Sequence, residues 1–256
     1  MTGVPLSARI AALRHQLRTK VNLYNASGLF NTLYDIELGR NRPVFYDIAT
    51  TRPELLALDA VHTTIRAEYQ ALQAACGVLP PYHTIDTDVM SSSGRRDRDR
   101  FWRVFMLHCF GQETSLARQH CSETLARLHR IPGLMQAFFS VLEPRKNIPA
   151  HVGPSRIYLR YHLGLDVPTE NTPVLRVSDQ RRSWKTGESF LFDDSYDHEI
   201  INTCDRERVV LIVDIERPIS AAYKPLNAFI LALARNIYAP RVMGAQRRVL
   251  GLGPAD

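Results

Sequence analysis

The stretch IPAHVGPSRIYLRYHLGL, residues 148–165, carries the pattern that decides the fold. From residue 157 onward every second residue is large and apolar, as on one face of a β-strand. The two predicted faces are Ile157, Leu159, Tyr161, Leu163 and Leu165 on one side, and Arg156, Tyr158, Arg160, His162 and Gly164 on the other. Two arginines and a histidine on one face fit either a solvated strand or the wall of a cavity that binds an anion.

Further short segments, rich in aromatic and β-branched residues and broken by Pro, Gly and Asp, surround this stretch. They are FWRVFML (101–107), QAFFSVL (136–142), PVLRVSD (173–179), SFLFDD (189–194) and RVVLIVDIE (208–216). Many short strands separated by turn signals predict a β-barrel or sandwich. One segment with helical spacing, SLARQHCSETLARLHRI (115–131), interrupts the strands.

The two ends of the chain differ from this β-rich part. Helical spacing joins Ile10 to Val21, and a second helical stretch begins at Pro53 and ends at Gly77. The polar segment SSSGRRDRDR (91–100) predicts a loop. We therefore expect a helical N-terminal region, 1–100, packed on a β core, 101–218, and a basic helical C-terminal tail, 219–256.

Composition sets outer limits on the function. The chain has 256 residues, 45% of them hydrophobic, with a net charge of +6. No run of eighteen apolar residues is present and the first residues lack the pattern of a secretory signal, so we expect a cytoplasmic protein. The spacing of Cys76, Cys109, Cys121 and Cys204 predicts reduced, packed thiols. The arginine clusters lack interleaved aromatic residues, so nucleic-acid binding is not expected.

Two histidines have the setting of metal ligands. His151 lies in a predicted turn between two prolines, and His198 follows an apolar strand. Metal ligands must converge from separate elements, and two loops at the mouth of a barrel achieve this. The remaining histidines have no companion at ligand spacing; they are His15, His62, His83, His108, His120 and His129.

A carboxylate to complete the common iron site of two histidines and one acid is not in its usual place. That position, two residues after His151, holds Gly153. Asp193, Asp194 and Glu199 lie close in sequence to His198, but acids at strand ends more often cap backbone groups or form ion pairs. We expect a structural role for these three.

Arg208 lies in an apolar strand, where an unpaired guanidinium is costly to bury. The sequence leaves two partners open for it. One is a dicarboxylate ligand, and the other is an ion pair with Asp214 or Asp193.

The run 148–165, followed by SWKTGESFLFDDSYDHEIINTCDRERVVLIVDIERP (183–218), resembles the aspartyl/asparaginyl β-hydroxylase family of iron(II)- and 2-oxoglutarate-dependent dioxygenases. The motifs HxG, RxHLGL, WxxG and FDDSxxHE and a downstream arginine occur in order. The resemblance covers roughly residues 100–218. It implies a double-stranded β-helix, that is, a cupin-like jelly roll, with helices packed outside.

The resemblance also implies a role for individual residues. His151 and His198 correspond to the catalytic iron ligands, with glycine at position 153 as the family has it. Arg208 and Ser140 correspond to residues that contact the distal carboxylate of 2-oxoglutarate. Arg160 and His162 would lie at its other end, with Trp102 lining the pocket. The implied cofactors are Fe(2+), 2-oxoglutarate as co-substrate and O₂, with ascorbate as a supporting reductant.

For the substrate, the family name implies the β-carbon of an Asp or Asn residue, held by arginines such as Arg156, Arg181, Arg182 and Arg206. A second branch, the lipid A acyl-chain 2-hydroxylases, shares the FYD opening, the helical front and an ERP segment before a basic tail. That tail either packs on the barrel or contacts the membrane surface. HVGPSR and FDDSYDHE match the first branch better, so an Asp/Asn hydroxylase is expected. A jelly roll that binds a ligand without catalysis is the third reading.

Overall fold

The computed structural model describes residues 23–39, 41–86 and 101–253, with side chains from residue 30 onward. Within these ranges the helices lie at both ends and on one flank of a β core, as expected. The predicted helix at Ile10–Val21 and the loop at 91–100 lie outside the described residues. The helices are α1 Leu23–Leu38, α2 Ile48–Thr51, α3 Leu56–Asp59, α4 His62–Cys76, α5 Tyr82–Ile85, α6 Ser115–His120, α7 Ser122–Leu128, α8 Lys224–Leu233 and α9 Ala239–Val249.

Two antiparallel sheets form the core. The six-stranded sheet has the order β1-β8-β5-β10-β3-β2, and the four-stranded sheet has the order β4-β9-β6-β7. The strands are β1 Phe45–Tyr46, β2 Trp102–Cys109, β3 Leu134–Leu142, β4 Ile148–His151, β5 Tyr158–Asp166, β6 Val174–Val177, β7 Gln180–Ser183, β8 Ser189–Phe192, β9 His198–Ile201 and β10 Arg208–Glu216. This is the predicted jelly-roll class.

The alternation along β5 separates two hydrophobic clusters. Leu159, Tyr161 and Leu163 belong to the cluster that packs under α4, on the outer face of the large sheet. Tyr158 belongs to the inner cluster between the sheets. Ile157 was predicted on the outer face, but it precedes β5 and packs in the inner cluster, because the strand begins one residue later. The polar face of β5 is therefore buried, which excludes a solvated strand.

The short strands β4, β7 and β9 were not predicted. The turn and loop positions assigned to His151 and His198 are wrong, because His151 ends β4 and His198 begins β9. β4 contains Pro149, which has no amide hydrogen to donate and therefore reads as a turn signal. A proline is tolerated there because β4 is an edge strand of its sheet.

The C-terminal helices form one rod with a wide π turn at Ala234–Tyr238 between α8 and α9. α9 packs on β2 and α5. Its Gln246 accepts a hydrogen bond from the Met106 amide at 2.6 Å and donates one to the Met106 carbonyl at 3.0 Å. β2 is the edge strand of the large sheet, so the side-chain amide takes the place of a further strand at Met106.

Two smaller features follow the sequence. The four cysteines are unpaired, three of them buried. Among the described residues no helix has both the length and the apolar character needed to cross a bilayer.

Replacing Gln246 with Leu is expected to lower the free energy of unfolding by about 2–4 kcal/mol, because both polar groups of Met106 lose their partner in a buried place. Urea unfolding measures the change. Gln70→Leu, at an exposed position of α4, is the matched control and should stay within about 0.5 kcal/mol. Equal effects of the two changes would contradict the edge-pairing role of Gln246.

Candidate active site

His151 and His198 face each other across the β4–β9 pair. They are register partners, and their ring centroids are 4.1 Å apart. Nδ1 of His151 lies 2.8 Å from the Pro149 carbonyl, and Nδ1 of His198 lies 2.9 Å from the Tyr196 carbonyl. A carbonyl can only accept, so both Nδ1 atoms carry the proton. Both Nε2 lone pairs are thereby left for a metal ion, with the ring orientation fixed from behind.

Both rings are held in the neutral form that a metal needs. Burial lowers the pKa of His151 to about 3, and the neighbouring His198 adds to the shift. Burial likewise lowers the pKa of His198 to about 4. A divalent cation between them would not compete with a proton near neutral pH.

Arg208, Ser140 and Trp102 form one connected group at the start of β10. Arg208 is fully buried and donates through Nη2 to the Ser140 hydroxyl at 3.2 Å, which also accepts from the Trp102 indole at 2.9 Å. The Nε and Nη1 donors of Arg208 have no partner. With no counter-charge, burial lowers the pKa of Arg208 to about 9. Two free donors on a buried cation point to an anion-binding site.

The two partners that the sequence left open for Arg208 are thereby separated. Asp214 is bound by Arg160, and Asp193 is bound by Arg217 at 2.8 Å and Arg42 at 2.7 Å. Neither carboxylate contacts Arg208 in the described part of the chain. Of the two alternatives, the ion pair with Asp214 or Asp193 is therefore excluded, and the dicarboxylate ligand stays a prediction.

His162 lies between the arginine and the histidine pair. The Trp184 indole donates to its Nδ1 at 3.1 Å, so Nε2 carries the proton, and this N–H has no partner. The Trp184 ring also lies 4.5 Å from the Arg208 guanidinium carbon. Phe192 contacts both the His162 ring, at 5.1 Å, and the His198 ring, at 6.1 Å. The free donors of Arg208 and His162 therefore belong to the same interior as the histidine pair.

Gly164 explains how Trp184 reaches this place. A Cβ at position 164 would lie 2.2 Å from the Lys185 carbonyl oxygen, so only glycine allows the segment after Trp184 to cross β5. The Gly164 amide also donates to the Glu188 carbonyl at 3.0 Å. The glycines of the two motifs are in direct contact, since the Gly187 amide of WxxG donates to the carbonyl of Gly164 in RxHLGL at 2.9 Å.

Arg160 is in the predicted interior but is already neutralised. Its Nε and Nη2 donate to Asp214 at 2.7 and 2.9 Å, and Nη1 lies 3.0 Å from Asp194. Burial would lower the pKa of Arg160, but the two carboxylates outweigh it and raise the pKa well above its ordinary value. The structure therefore gives Arg160 a role in holding Asp194 and Asp214, and little free charge for a ligand.

Asp194 occupies the space that a side chain at position 153 would need. A Cβ on Gly153 would lie 2.4 Å from Asp194 Oδ1. The other oxygen, Oδ2, accepts from the Tyr158 hydroxyl at 2.8 Å, whereas Oδ1 has no partner. Burial raises the pKa of Asp194, despite Arg160. The missing acid of the HxG motif is thus replaced in space by a carboxylate from the turn after β8.

An apolar pocket opens beside His151. It is bounded by Gly153, Arg160 and Asp194 on the side of the histidines. The remaining walls come mostly from β2, β3 and the C-terminal helices, through Trp102, Phe110, Met135, Ile157, Ile230, Leu231, Ala234 and Tyr238. None of Arg156, Arg181, Arg182 and Arg206, the arginines predicted to hold a substrate carboxylate, is among its lining residues.

A second histidine group lies outside this site. His108, Glu113 and His129 have ligand atoms within 4.8 Å of one another, so the expectation that neither histidine has a companion is wrong. The chain folds back through α6 and α7 to bring His129 to Glu113. His108 Nε2 accepts from the Gly111 amide at 3.1 Å, so its Nδ1 carries the proton and donates to Glu113 at 2.9 Å. This proton occupies the position that a metal ion would take.

Sequence reasoning missed the roles of Trp184, Asp194 and Tyr158. The motif WxxG marked Trp184, and FDDSxxHE marked Asp194, but no spacing rule relates either one to Gly153 or His162. Their partners are brought in by sheet pairing, from positions 20 or more residues away.

Comparison with known proteins identifies the family to which the chain belongs. The family model "Aspartyl/Asparaginyl beta-hydroxylase" matches residues 59–218, more than half of the chain. The chain belongs to this family. It is a jelly-roll hydroxylase, and the match begins in α3, so it includes helices that the sequence pattern had placed before the core.

Individual relatives carry two kinds of name. The hydroxylase is 38% identical over 199 residues to an ornithine lipid ester-linked acyl 2-hydroxylase of Rhizobium tropici, covering 77% of this chain and 68% of that protein. It is 30% identical over 122 residues to the aspartyl/asparaginyl beta-hydroxylase of Mus musculus, covering 46% of this chain but only 16% of that protein. A solved prolyl-4-hydroxylase of Pseudomonas putida is 16% identical, covers 67% of this chain and 96% of that one, and superposes with a TM-score of 0.39.

Gly153→Ala is expected to lower the free energy of unfolding by about 1–3 kcal/mol, because its methyl group collides with the Asp194 carboxylate in a packed interior. Gly244→Ala in α9 is the control. Its Cβ would meet nothing closer than 3.6 Å, so it should stabilise the helix by about 0.5–1 kcal/mol. Both are measured by urea unfolding, and a neutral Gly153→Ala would show that Asp194 can move aside.

Proposed function

We propose that this hydroxylase is an iron(II)- and 2-oxoglutarate-dependent dioxygenase. Nε2 of His151 and Nε2 of His198 would hold the iron, and Arg208, Ser140 and His162 would hold the carboxylates of 2-oxoglutarate. Together with O₂, iron(II) and 2-oxoglutarate would supply the oxidation of a C–H bond to an alcohol: one oxygen atom of O₂ enters the alcohol, the other enters succinate, and CO₂ is released. The protein orients the carbon that reacts and keeps water away from it.

The unpartnered buried groups support this assignment. Arg208, which lies over the Trp184 ring, offers two free donors, and His162, which accepts from the Trp184 indole, offers one. A dicarboxylate would satisfy donors of this kind, and its charge would offset the buried guanidinium. The free Nε2 atoms of the histidine pair lie in the same interior, where a ligand could reach both groups.

For the substrate, we propose an apolar chain, such as the acyl chain of a lipid. The observation that carries this is the apolar pocket beside His151, lined by Met135, Ile230 and Leu231. A substrate carboxylate would need a free cation, whereas Arg160, the arginine in this lining, is already paired with Asp214 and Asp194. The similarity to the Rhizobium tropici enzyme favours the same choice. Hydroxylation of an Asp or Asn residue, which the motifs predict, stays the second candidate.

Arg208→Met is expected to stabilise the ligand-free protein by about 1–3 kcal/mol, because it removes a buried charge that has no partner. The same change should weaken 2-oxoglutarate binding by about 100-fold, since two charge-assisted hydrogen bonds are lost. Urea unfolding and calorimetric titration measure the two effects. Arg182→Met, at an exposed position, is the control. Unchanged 2-oxoglutarate affinity in Arg208→Met would contradict the proposed co-substrate site.

The substrate is tested by incubating the protein with iron(II), 2-oxoglutarate and ascorbate. A detergent-dispersed lipid with long acyl chains and an aspartate-containing peptide are compared by mass spectrometry. We expect the acyl chain to gain one oxygen with one succinate formed. Ala234→Trp, which fills the pocket, should reduce this by about 100-fold while 2-oxoglutarate binding persists.

Ala221→Trp, at an exposed position outside the pocket lining, is the matched control for bulk. If only the peptide gained an oxygen atom, the acyl-chain proposal would be rejected in favour of an Asp or Asn substrate. Absence of succinate formation with every substrate, together with iron binding that survives His198→Ala, would overturn the dioxygenase assignment itself.

A further inference from the structure

Helices α1 and α8 contact each other, and both carry exposed apolar side chains. The Phe30 and Phe229 rings meet edge to face at 6.2 Å. The Tyr223 hydroxyl, just before α8, donates to the Leu33 carbonyl at 3.0 Å. Inward, Tyr34 is hydrogen-bonded to Asn227. The outward set of Leu33, Ile36, Phe229 and Leu233 is called here the paired-helix face.

This face is apolar and exposed. Ile36 is 76% exposed and Phe229 is 53% exposed. α8 also exposes Pro225, Ala228 and Ala232, and no charged residue occurs from 225 to 233. Several large apolar side chains exposed on two helices that touch are a feature of contact sites.

The charge around the face selects an anionic partner. Lys224 and Arg235 are exposed at the two ends of α8. From Pro218 to Ala255 the chain has five basic residues and no acidic one. Of the acids of α1, Asp35 is paired with Arg156 at 2.6 Å, and Glu37 accepts from the Ser220 amide at 3.2 Å and keeps its charge. An apolar strip with cations at its ends matches the headgroup boundary of an anionic membrane.

The other side of α8 belongs to the active site. Ile230, Leu231 and Ala234 line the pocket beside His151. One helix therefore separates the exposed apolar face from the pocket that would take the acyl chain. A chain that leaves a lipid monolayer at this face has only the width of α8 to pass before it reaches the pocket.

We propose that the paired-helix face docks on an anionic lipid surface, with α8 lying flat at the headgroup boundary. The ten residues of α8 span only about 15 Å, so the helix rests in one leaflet. The proposal rests on the proposed acyl-chain function and adds to it the surface from which the substrate enters. Docking holds the pocket at the depth where acyl chains begin.

The test is co-sedimentation of the full chain with phosphatidylcholine vesicles, with and without phosphatidylglycerol. We expect binding that needs phosphatidylglycerol and weakens with salt. Phe229→Glu with Leu233→Glu should reduce binding at least about tenfold. The matched control is Val78→Glu with Ile201→Glu, at two exposed apolar positions elsewhere on the surface, which should bind as the unchanged protein does. Analytical ultracentrifugation of all three proteins accompanies the assay.

Three outcomes overturn docking: no vesicle binding, equal loss in both double variants, or a dimer that the Phe229 and Leu233 changes dissociate, which would assign the face to a second copy. Neither double variant touches the pocket lining, so 2-oxoglutarate affinity should be unchanged in both. Vesicle binding without any acyl hydroxylation would leave docking in place and reject the proposed function. Hydroxylation of dispersed lipid without vesicle binding would support the proposed function and reject docking.

Discussion

Arg160 binds the carboxylates of both Asp194 and Asp214, and the rest of the interior depends on this arrangement. Because these two acids are taken, Arg208 is left as a buried cation with free donors. The same contact holds Asp194 against Gly153, next to His151. The interior thus gives the charge of Arg160 two carboxylate partners and leaves the charge of Arg208 with none, which suits the proposed binding of 2-oxoglutarate. That imbalance lowers the stability of the empty protein and is relieved when an anion binds.

The parts of the fold that follow from local pattern were predicted from the sequence. The strands β2, β3, β5, β8 and β10 are long or strongly apolar, so their alternation shows through. The buried polar face of β5, with Arg160 and His162, follows from the same alternation. The short strands β4 and β9 carry no such pattern, because pairing across the sheet, and not local propensity, makes them extended. His151 and His198 were therefore recognised by motif, while their opposed positions in one register came only from the structure.

Contacts between segments that are distant in the chain could not be predicted from the sequence. Spacing placed Asp193, Asp194 and Glu199 together as structural acids, and Asp193 is indeed held by Arg217 and Arg42. Nothing in the spacing separates it from Asp194, whose free oxygen faces Gly153. Likewise, His108 and His129 are 21 positions apart and meet only because the intervening helices turn back. Where contacts between distant segments determine a site, residue type and spacing identify candidate residues but do not identify the residues that they contact.

The π turn at Ala234–Tyr238 sets the rotation of α8 relative to α9 about the helix axis. α9 is fixed on β2 through Gln246, and α8 must present Ile230 and Leu231 inward and Phe229 outward. Each residue added to or removed from a helix rotates everything beyond it by about 100°. Inserting or deleting a single residue in this turn would therefore rotate α8 by about 100° relative to α9 and move Ile230 and Leu231 away from the pocket. The number of residues in the π turn, and not only their type, therefore determines which side chains of α8 face the pocket and which face outward.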